Sequence, residues 1–364
     1  MNSKQRVHAA LRRQPTDRVP VFMAFHGETL ATLARLLDIP RHCVDMALGN
    51  DVRMAWVGND YSVEGMTHDK DGEGHVDLWG IRWVKQGLSN QVAEHPLSAS
   101  SPGEVRKYCF PLQHIEELLS RMNSLVASAY EYFIGCDVSP CVFEMYARLR
   151  GPEQAIADLS AEPGLVDEMF DRCAAFSALL AELACRRFPL DWLWTGDDVA
   201  GHDSLLMSPE TWRRLVKPHL QLVIDVAKRH RLWAVYHCCG SLRPIIPDLI
   251  EMGVDVLNPV QGGCPGMNPL ELKREFGDKL AFTGGLDAHG VLRCGGVDEV
   301  RRATRELLDG MTAAGGGYIL SASHAILPET PADNLFAMYA EAGLSREEIY
   351  DRAAEIRAKY RQNR

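Results

Sequence analysis

The sequence predicts an α/β fold, a (β/α)8 TIM barrel with a small N-terminal β insertion, and three observations carry that reading. Short, nearly continuous apolar runs alternate with amphipathic helical stretches from about residue 131 onward, which is the pattern of parallel strands covered by helices. Seven such runs occur, at 18–25, 132–138, 190–195, 232–236, 254–259, 280–283 and 317–320, and that many strand–helix units in one chain favours a closed barrel over an open sheet. No Gly-x-Gly-x-x-Gly fingerprint marks a dinucleotide-binding sheet. With 364 residues, 46% hydrophobic and 24% charged, there is material for a large core, and disorder is excluded as a description of the whole chain. Residues 1–364 are read as one barrel domain.

The elements follow in order. The run 18–25 supplies the first strand. Residues 50–110 are the least regular part, with Asp71-Gly72 as a hairpin signal ahead of the apolar run 81–84. They are read as an insertion over or beside the barrel mouth. Beyond residue 131 the helices have marked starts. Ser208-Pro209 is an N-cap followed by proline at the first helical position, and Trp212, Leu215, His219, Leu220 and Ile224 follow at helical spacing. Asn268-Pro269 repeats the arrangement, with Glu271 placed to complete a capping box, and Thr330-Pro331 opens the last long barrel helix.

Charge narrows the function. Lys+Arg is 39 against Asp+Glu 49, a formal charge of −10, so the surface suits neither a phosphate backbone nor anionic lipid. No apolar run reaches the ~18 residues of a membrane span, and the polar start of the chain lacks the apolar core of a secretory signal. The expectation is a cytoplasmic protein without nucleic-acid or membrane partners. Its ten cysteines are then reduced thiols, one or two of them as metal ligands.

Barrel enzymes carry their chemistry at the C-terminal ends of the strands. Asp197 and Asp198 follow the run 190–195; His237, Cys238 and Cys239 follow 232–236; Asn258 and Gln261 close the next strand; Asp287 follows 280–283; Ser321, Ser323 and His324 follow 317–320. The sharpest element is His237-Cys238-Cys239. Side chains alternate across a strand, so His237 and Cys239 share one face and can both bind one Zn²⁺, with His324 as the available third ligand. Three protein ligands leave a fourth position open, as catalytic zinc requires. The alternative is that the cysteines are buried small hydrophobes and the histidines cap the barrel. For Asp197-Asp198 the same alternation turns one carboxylate into the mouth, where it orients a ligand or the substrate; Asp198 is the stronger candidate. Capping of the next turn is the competing role.

These residues carry a resemblance. Residues 236–241, 255–261, 282–287 and 317–324, the last continuing into Pro331-Ala332-Asp333-Asn334, are similar to the uroporphyrinogen decarboxylase-like superfamily. So is the start of the chain, where 6–11 are followed by Asp17-Arg18-Val19-Pro20-Val21. The resemblance implies one barrel serving two camps. One is a cofactor-free decarboxylase of a polycarboxylated porphyrinogen; the other comprises zinc-containing methyltransferases that work with corrinoid proteins. The decarboxylase camp has an Arg-rich segment after the first strand, whereas this chain reads Met23-Ala24-Phe25-His26-Gly27 and lacks guanidinium forks for a polyanion there. Thiol-methylating members resemble this chain at His237-x-Cys239 but carry a cysteine where His324 stands. Zinc on His237, Cys239 and His324 would carry a formal +1, which strengthens it as a Lewis acid and weakens a bound thiolate as a nucleophile.

The resemblance therefore implies a zinc-dependent methyltransferase. It would move a methyl group between a small donor, a methoxylated compound among them, or a thiol or folate acceptor, and cobalamin carried by a partner corrinoid protein. Asn258, Gln261 and Asp287 would line the substrate pocket, and a homodimer is implied by resemblance alone. The competing functions are decarboxylation of a porphyrinogen or smaller acid, and a binding paralogue without turnover, which the histidine at 324 and the stretch 198–202 keep open.

Overall fold

The computed structural model describes residues 1–59, 68–128, 131–313 and 315–362. Its fold class is that of the TIM barrel, but among the described residues the parallel sheet has seven strands in chain order and is open, where a closed eight-stranded barrel was expected; a three-stranded antiparallel sheet is separate from it. The chain forms two compact units, Met1–Arg53 with Glu131–Phe133 and Leu257–Arg364, and Met54–Tyr130 with Ile134–Val256.

The second unit holds most of β1 (Val52–Trp56), the antiparallel strands β2 (Gly74–Val76), β3 (Arg82–Gln86) and β4 (Ser89–Glu94), and the parallel strands β5 (Phe133–Asp137), β6 (Trp192–Gly196) and β7 (Trp233–His237). Every residue of β5 and β6 is buried, as expected of strands covered on both faces. The register sets Gly135 against Trp192 and Gly196 against His237. Gly135 has no alternative, because a Cβ there would lie 2.0 Å from Trp192 Nε1. Around this sheet pack the 25-residue helix Pro163–Arg187 and the helix Lys217–Arg229, with Tyr146, Phe170, Trp192, Trp212 and Tyr236 fully buried. Ser208 caps its helix as expected, its Oγ accepting the Thr211 N–H at 3.1 Å.

The irregular stretch 50–110 divides. Its first strand, β1, belongs to the parallel sheet, and the antiparallel sheet occupies Gly74–Glu94. The hairpin turn between β3 and β4 falls at Gly87, with φ +60°, and Asp71-Gly72 instead forms a turn before β2. There the Asp71 carboxylate accepts the Gly87 N–H at 3.0 Å. Residues 60–67 lie outside the described residues.

The first unit holds β8 (Val256–Val260, from Leu257), β9 (Ala281–Leu286) and β10 (Tyr318–Ala322), with β9 and β10 paired in parallel. The run 18–25, expected as the first strand, lies along β10 and beyond it through isolated bridges, Val21 to Leu320 and Phe25 to Ile326. Pro20 interrupts any regular ladder there, since proline has no N–H to donate. The segment is fixed from elsewhere. Asp51, fully buried, accepts Arg6 Nη1 at 2.7 Å, Arg18 Nη1 and Nη2 at 2.8 and 3.0 Å, and the Val21 N–H at 2.9 Å.

Two helix starts in this unit differ from expectation. Asn268 Oδ1 accepts the Leu270 and Glu271 N–H groups, so Glu271 serves through its backbone, and no reciprocal box is formed. The helix Ala332–Glu341 has Pro331 at its N-cap and no side-chain cap, while Thr330 Oγ1 is buried without a partner. Proline fixes the entry by its φ alone.

Candidate metal centre

The site is built where β6 and β7 end side by side. Asp197 N–H donates to the His237 carbonyl at 3.0 Å, and Tyr236 OH donates to the Asp197 carbonyl at 3.1 Å. From this joint the two aspartates diverge. Asp197 is fully buried, and its carboxylate accepts the N–H groups of Val142 (3.2 Å), Phe143 (3.0 Å) and Glu144 (2.7 Å), at the start of the helix Phe143–Arg150. These are donors that a helix N-terminus leaves unpaired. Burial pushes the Asp197 pKa up to about 7, against the pull of those three N–H groups.

Asp198 turns the other way. Its Oδ1 accepts the Cys239 N–H at 2.8 Å, and its own N–H donates to Glu144 Oε2 at 3.1 Å. Glu144 Oε1 in turn accepts Arg148 Nη2 at 2.6 Å. Burial raises the Asp198 pKa, Glu144 repels its charge further, and His237 and Arg148 oppose both.

His237 and Cys239 lie on one face, with Sγ 3.8 Å from Nε2. Cys238 points into the core, fully buried, its Sγ donating to the Cys239 carbonyl at 3.2 Å, and burial pushes its thiol well up. The loop can leave the strand so sharply because Gly240 has φ +89° and no side chain; a Cβ there would sit 2.2 Å from the Gly201 carbonyl oxygen. Trp194 backs the imidazole, ring centres 5.9 Å apart and planes 31° from parallel.

One ligand atom from each of Asp198, His237 and Cys239 lies within 4.8 Å of the other two. A tetrahedral zinc, with sulfur at ~2.3 Å and nitrogen at ~2.05 Å, holds those two donors about 3.5 Å apart. The 3.8 Å separation of Sγ and Nε2 is close to that edge, and a thiolate, an imidazole and a carboxylate are donors that zinc accepts. The residues present fit the ion.

The remaining expected site residues belong to the other unit. Asn258 is buried in β8. Gln261 Nε2 donates to the Ser323 carbonyl at 3.1 Å. Asp287 Oδ1 accepts the His289 and Gly290 N–H groups at 2.9 and 3.0 Å and so caps its own turn. His324 is exposed, with Nδ1 3.3 Å from the Ala325 carbonyl and its ring 5.5 Å from that of His289.

Sequence reasoning missed Asp137, Glu144 and Arg148 near these strand ends. Asp137 had a signal, because it is the polar residue inside the run 132–138. Glu144 and Arg148 had none: both sit inside a helix, one turn apart, and only the path of that helix brings them to the strand ends.

Comparison with known proteins decides the family. Residues 112–343 match the family model described as "Uroporphyrinogen decarboxylase (URO-D)". The chain belongs to the URO-D family. Two curated relatives, uroporphyrinogen decarboxylases from two strains of Thermus thermophilus, are each 29% identical over 350 residues, which covers 90% of the chain and 94% of the relative. The methylcobamide:CoM methyltransferase MtbA of Methanosarcina mazei is 23% identical over 344 residues, covering 92% of the chain and 96% of that protein. Among solved structures, a methyltransferase from Methanosarcina mazei is similar with a TM-score of 0.69 at 19% identity, covering 94% of this chain and 98% of that one; this shows a shared fold. Among the described residues, no helix is long and apolar enough to cross a membrane.

Proposed function

We propose that this URO-D family member is a zinc-dependent methyltransferase of the corrinoid-linked type, acting with a small methyl donor or acceptor and a partner corrinoid protein. The observation that carries the reading is the convergence of Asp198, His237 and Cys239 within 4.8 Å. A soft thiolate beside an imidazole is a metal-ligand pair, and decarboxylation by a carboxylate alone does not call for it. The likeness to MtbA and to the Methanosarcina mazei methyltransferase structure supports the same choice. Zinc bound there would supply Lewis acidity toward the heteroatom that loses or gains the methyl group.

The chain's own residues have separable tasks. His237 and Cys239 hold the ion. Asp197 fixes the joint between β6 and the helix Phe143–Arg150, and Asp198 orients Cys239 through its N–H. Asn258, Gln261 and Asp287 are proposed to contact the substrate. The third ligand is His324 or Asp198, and the choice sets the charge. His324 leaves the centre at a formal +1, suited to polarising an ether oxygen. Asp198 makes it neutral, which leaves a bound thiolate more nucleophilic.

The test is elemental analysis of purified protein together with methyl transfer to reduced cobalamin. Stoichiometric zinc that is lost in Cys239→Ala is expected; protein free of zinc, or full transfer by Cys239→Ala, overturns the reading. The Thermus thermophilus relatives at 29% identity keep decarboxylation as the second reading, and metal-free turnover of uroporphyrinogen would establish it.

A further inference from the structure

The first unit also contains a cavity of about 460 Å³ that shares no residue with the candidate metal centre. The start of the chain, the turn at Gly49 ahead of β1, Tyr132 ahead of β5 and the helix Arg346–Gln362 enclose it. Five charged side chains line it, and four of them are already engaged. Arg6 gives Nε and Nη2 to Asp17 and Nη1 to Asp51, each at 2.7 Å. Both terminal nitrogens of Arg18 donate to the fully buried Asp51, at 2.8 and 3.0 Å. Asp17 also holds the terminal ammonium of Met1 at 3.0 Å. Glu348 Oε2 accepts the Ser345 N–H at 2.7 Å and the Ser345 hydroxyl at 3.0 Å, a cap on its own helix.

The fifth is Arg352. Its Nε donates to the Ala47 carbonyl at 2.9 Å and anchors the half-buried guanidinium. Neither terminal nitrogen has a hydrogen-bond partner among the described residues, and Nη2 is buried. Gly49 makes room for it, because a Cβ there would lie 3.2 Å from Nη2 and 2.9 Å from Leu344 Cδ2. Leaving a desolvated donor without an acceptor costs stability. Burial lowers the Arg352 pKa accordingly, Glu348 opposing the fall and Arg18 adding to it. Ser3 Oγ and Tyr132 OH, at the same cavity, also make no hydrogen bond to the described residues. Against these donors stands one free side-chain oxygen, Oε1 of the exposed Glu348. The cavity is therefore short of acceptors, and a guanidinium takes a carboxylate or phosphate group through two parallel bonds. Met46, 37% exposed, and the buried Leu344 supply an apolar wall beside it.

We propose that this cavity binds a small organic acid, its carboxylate or phosphate group on Arg352 and its apolar part against Met46 and Leu344. The inference stands apart from the metal reading. Calorimetry on the full chain, zinc-loaded and chelated, compares pentanoate, pentyl phosphate, neutral pentanamide and pentylammonium. The better of the two acids is expected to bind at least about tenfold more tightly than pentanamide, with pentylammonium weakest. Which acid leads identifies the headgroup. Arg352→Met should reduce the preference to about twofold or less, and Arg352→Lys should keep part of it. Because Arg352 also holds the Ala47 carbonyl, a second variant leaves that contact in place. Met46→Glu sets a carboxylate beside the guanidinium and should weaken the acids at least about fivefold. Circular dichroism identifies which variants are folded. Pentanamide binding as tightly as the acids, no acid binding at millimolar concentration, unchanged acid binding in either folded variant, or a preference that disappears on chelation would each overturn the proposal.

Discussion

If Asp137 is held ionised against its surroundings, replacing it with the neutral isostere should stabilise the fold, and only above the acid range. In the chelated protein, burial lifts its pKa from 3.8 to about 7. Between those values the native state keeps a proton that the unfolded chain has lost, so stability falls as pH rises through this window, and the full penalty is present above about pH 7. A shift of roughly 3 pH units at ~1.4 kcal/mol each corresponds to about 4 kcal/mol. Asparagine at 137 retains an oxygen for the Ser139 N–H but brings a buried NH₂ group, whose lost hydration costs about 1–3 kcal/mol. The net expectation is that Asp137→Asn gains ~1–3 kcal/mol near pH 8, and loses a similar amount, about 1–3 kcal/mol, near pH 4, where the carboxyl penalty has almost vanished. Urea denaturation of chelated wild type and variant at the two pH values measures it. A variant less stable than wild type near pH 8, or an equal difference at both pH values, refutes the reasoning.

Three further outcomes follow from other contacts. Asp198→Ala and His324→Ala, titrated with zinc against a competing chelator, identify the third ligand: the true ligand's removal should weaken zinc by about tenfold or more, and the other's by much less. Asp51→Asn should cost about 3–5 kcal/mol in denaturant unfolding, since it strands the Arg6 and Arg18 guanidiniums that converge on one fully buried carboxylate; a loss under about 1 kcal/mol would show that the pairs are dispensable. Thr330→Val should be neutral or stabilising by up to ~1 kcal/mol in thermal melts, because its buried hydroxyl already lacks a partner.

The sequence displayed the parts of this molecule that local patterns encode. Apolar runs became β5 to β10 because a strand covered on both faces must be continuously apolar. The pairing of His237 with Cys239 was legible because side-chain alternation is a local rule. The first strand was misjudged where the local pattern and the backbone disagree: 18–25 is apolar enough, but Pro20 withholds a donor, and the segment is held by Asp51, which lies far along the chain. Glu144 and Arg148 were invisible for a related reason. Nothing in a helix sequence says which strand end its first turn will face, and only Asp197 binding the N–H groups of residues 142–144 fixes that.

That anchoring suggests why the site tolerates so many buried charges. At each of the two strand ends, neighbouring residues of one type take opposite roles. Asp197 and Cys238 are fully buried and bonded to backbone, while Asp198 and Cys239 are partly exposed and meet His237. The anchors hold the backbone at both joints, so the partners need not contribute to folding and can carry charge at a cost. Substitution should separate the two roles. Asp197→Asn keeps one oxygen for the three N–H donors, and the loss should appear as lowered stability, with zinc affinity recovering wherever the protein remains folded. Asp198→Asn should leave unfolding nearly unchanged, within about 1 kcal/mol, and alter zinc or substrate binding instead. Loss of zinc in folded Asp197→Asn, with Asp198→Asn the less stable of the two, would mean that the division of labour is drawn the wrong way round.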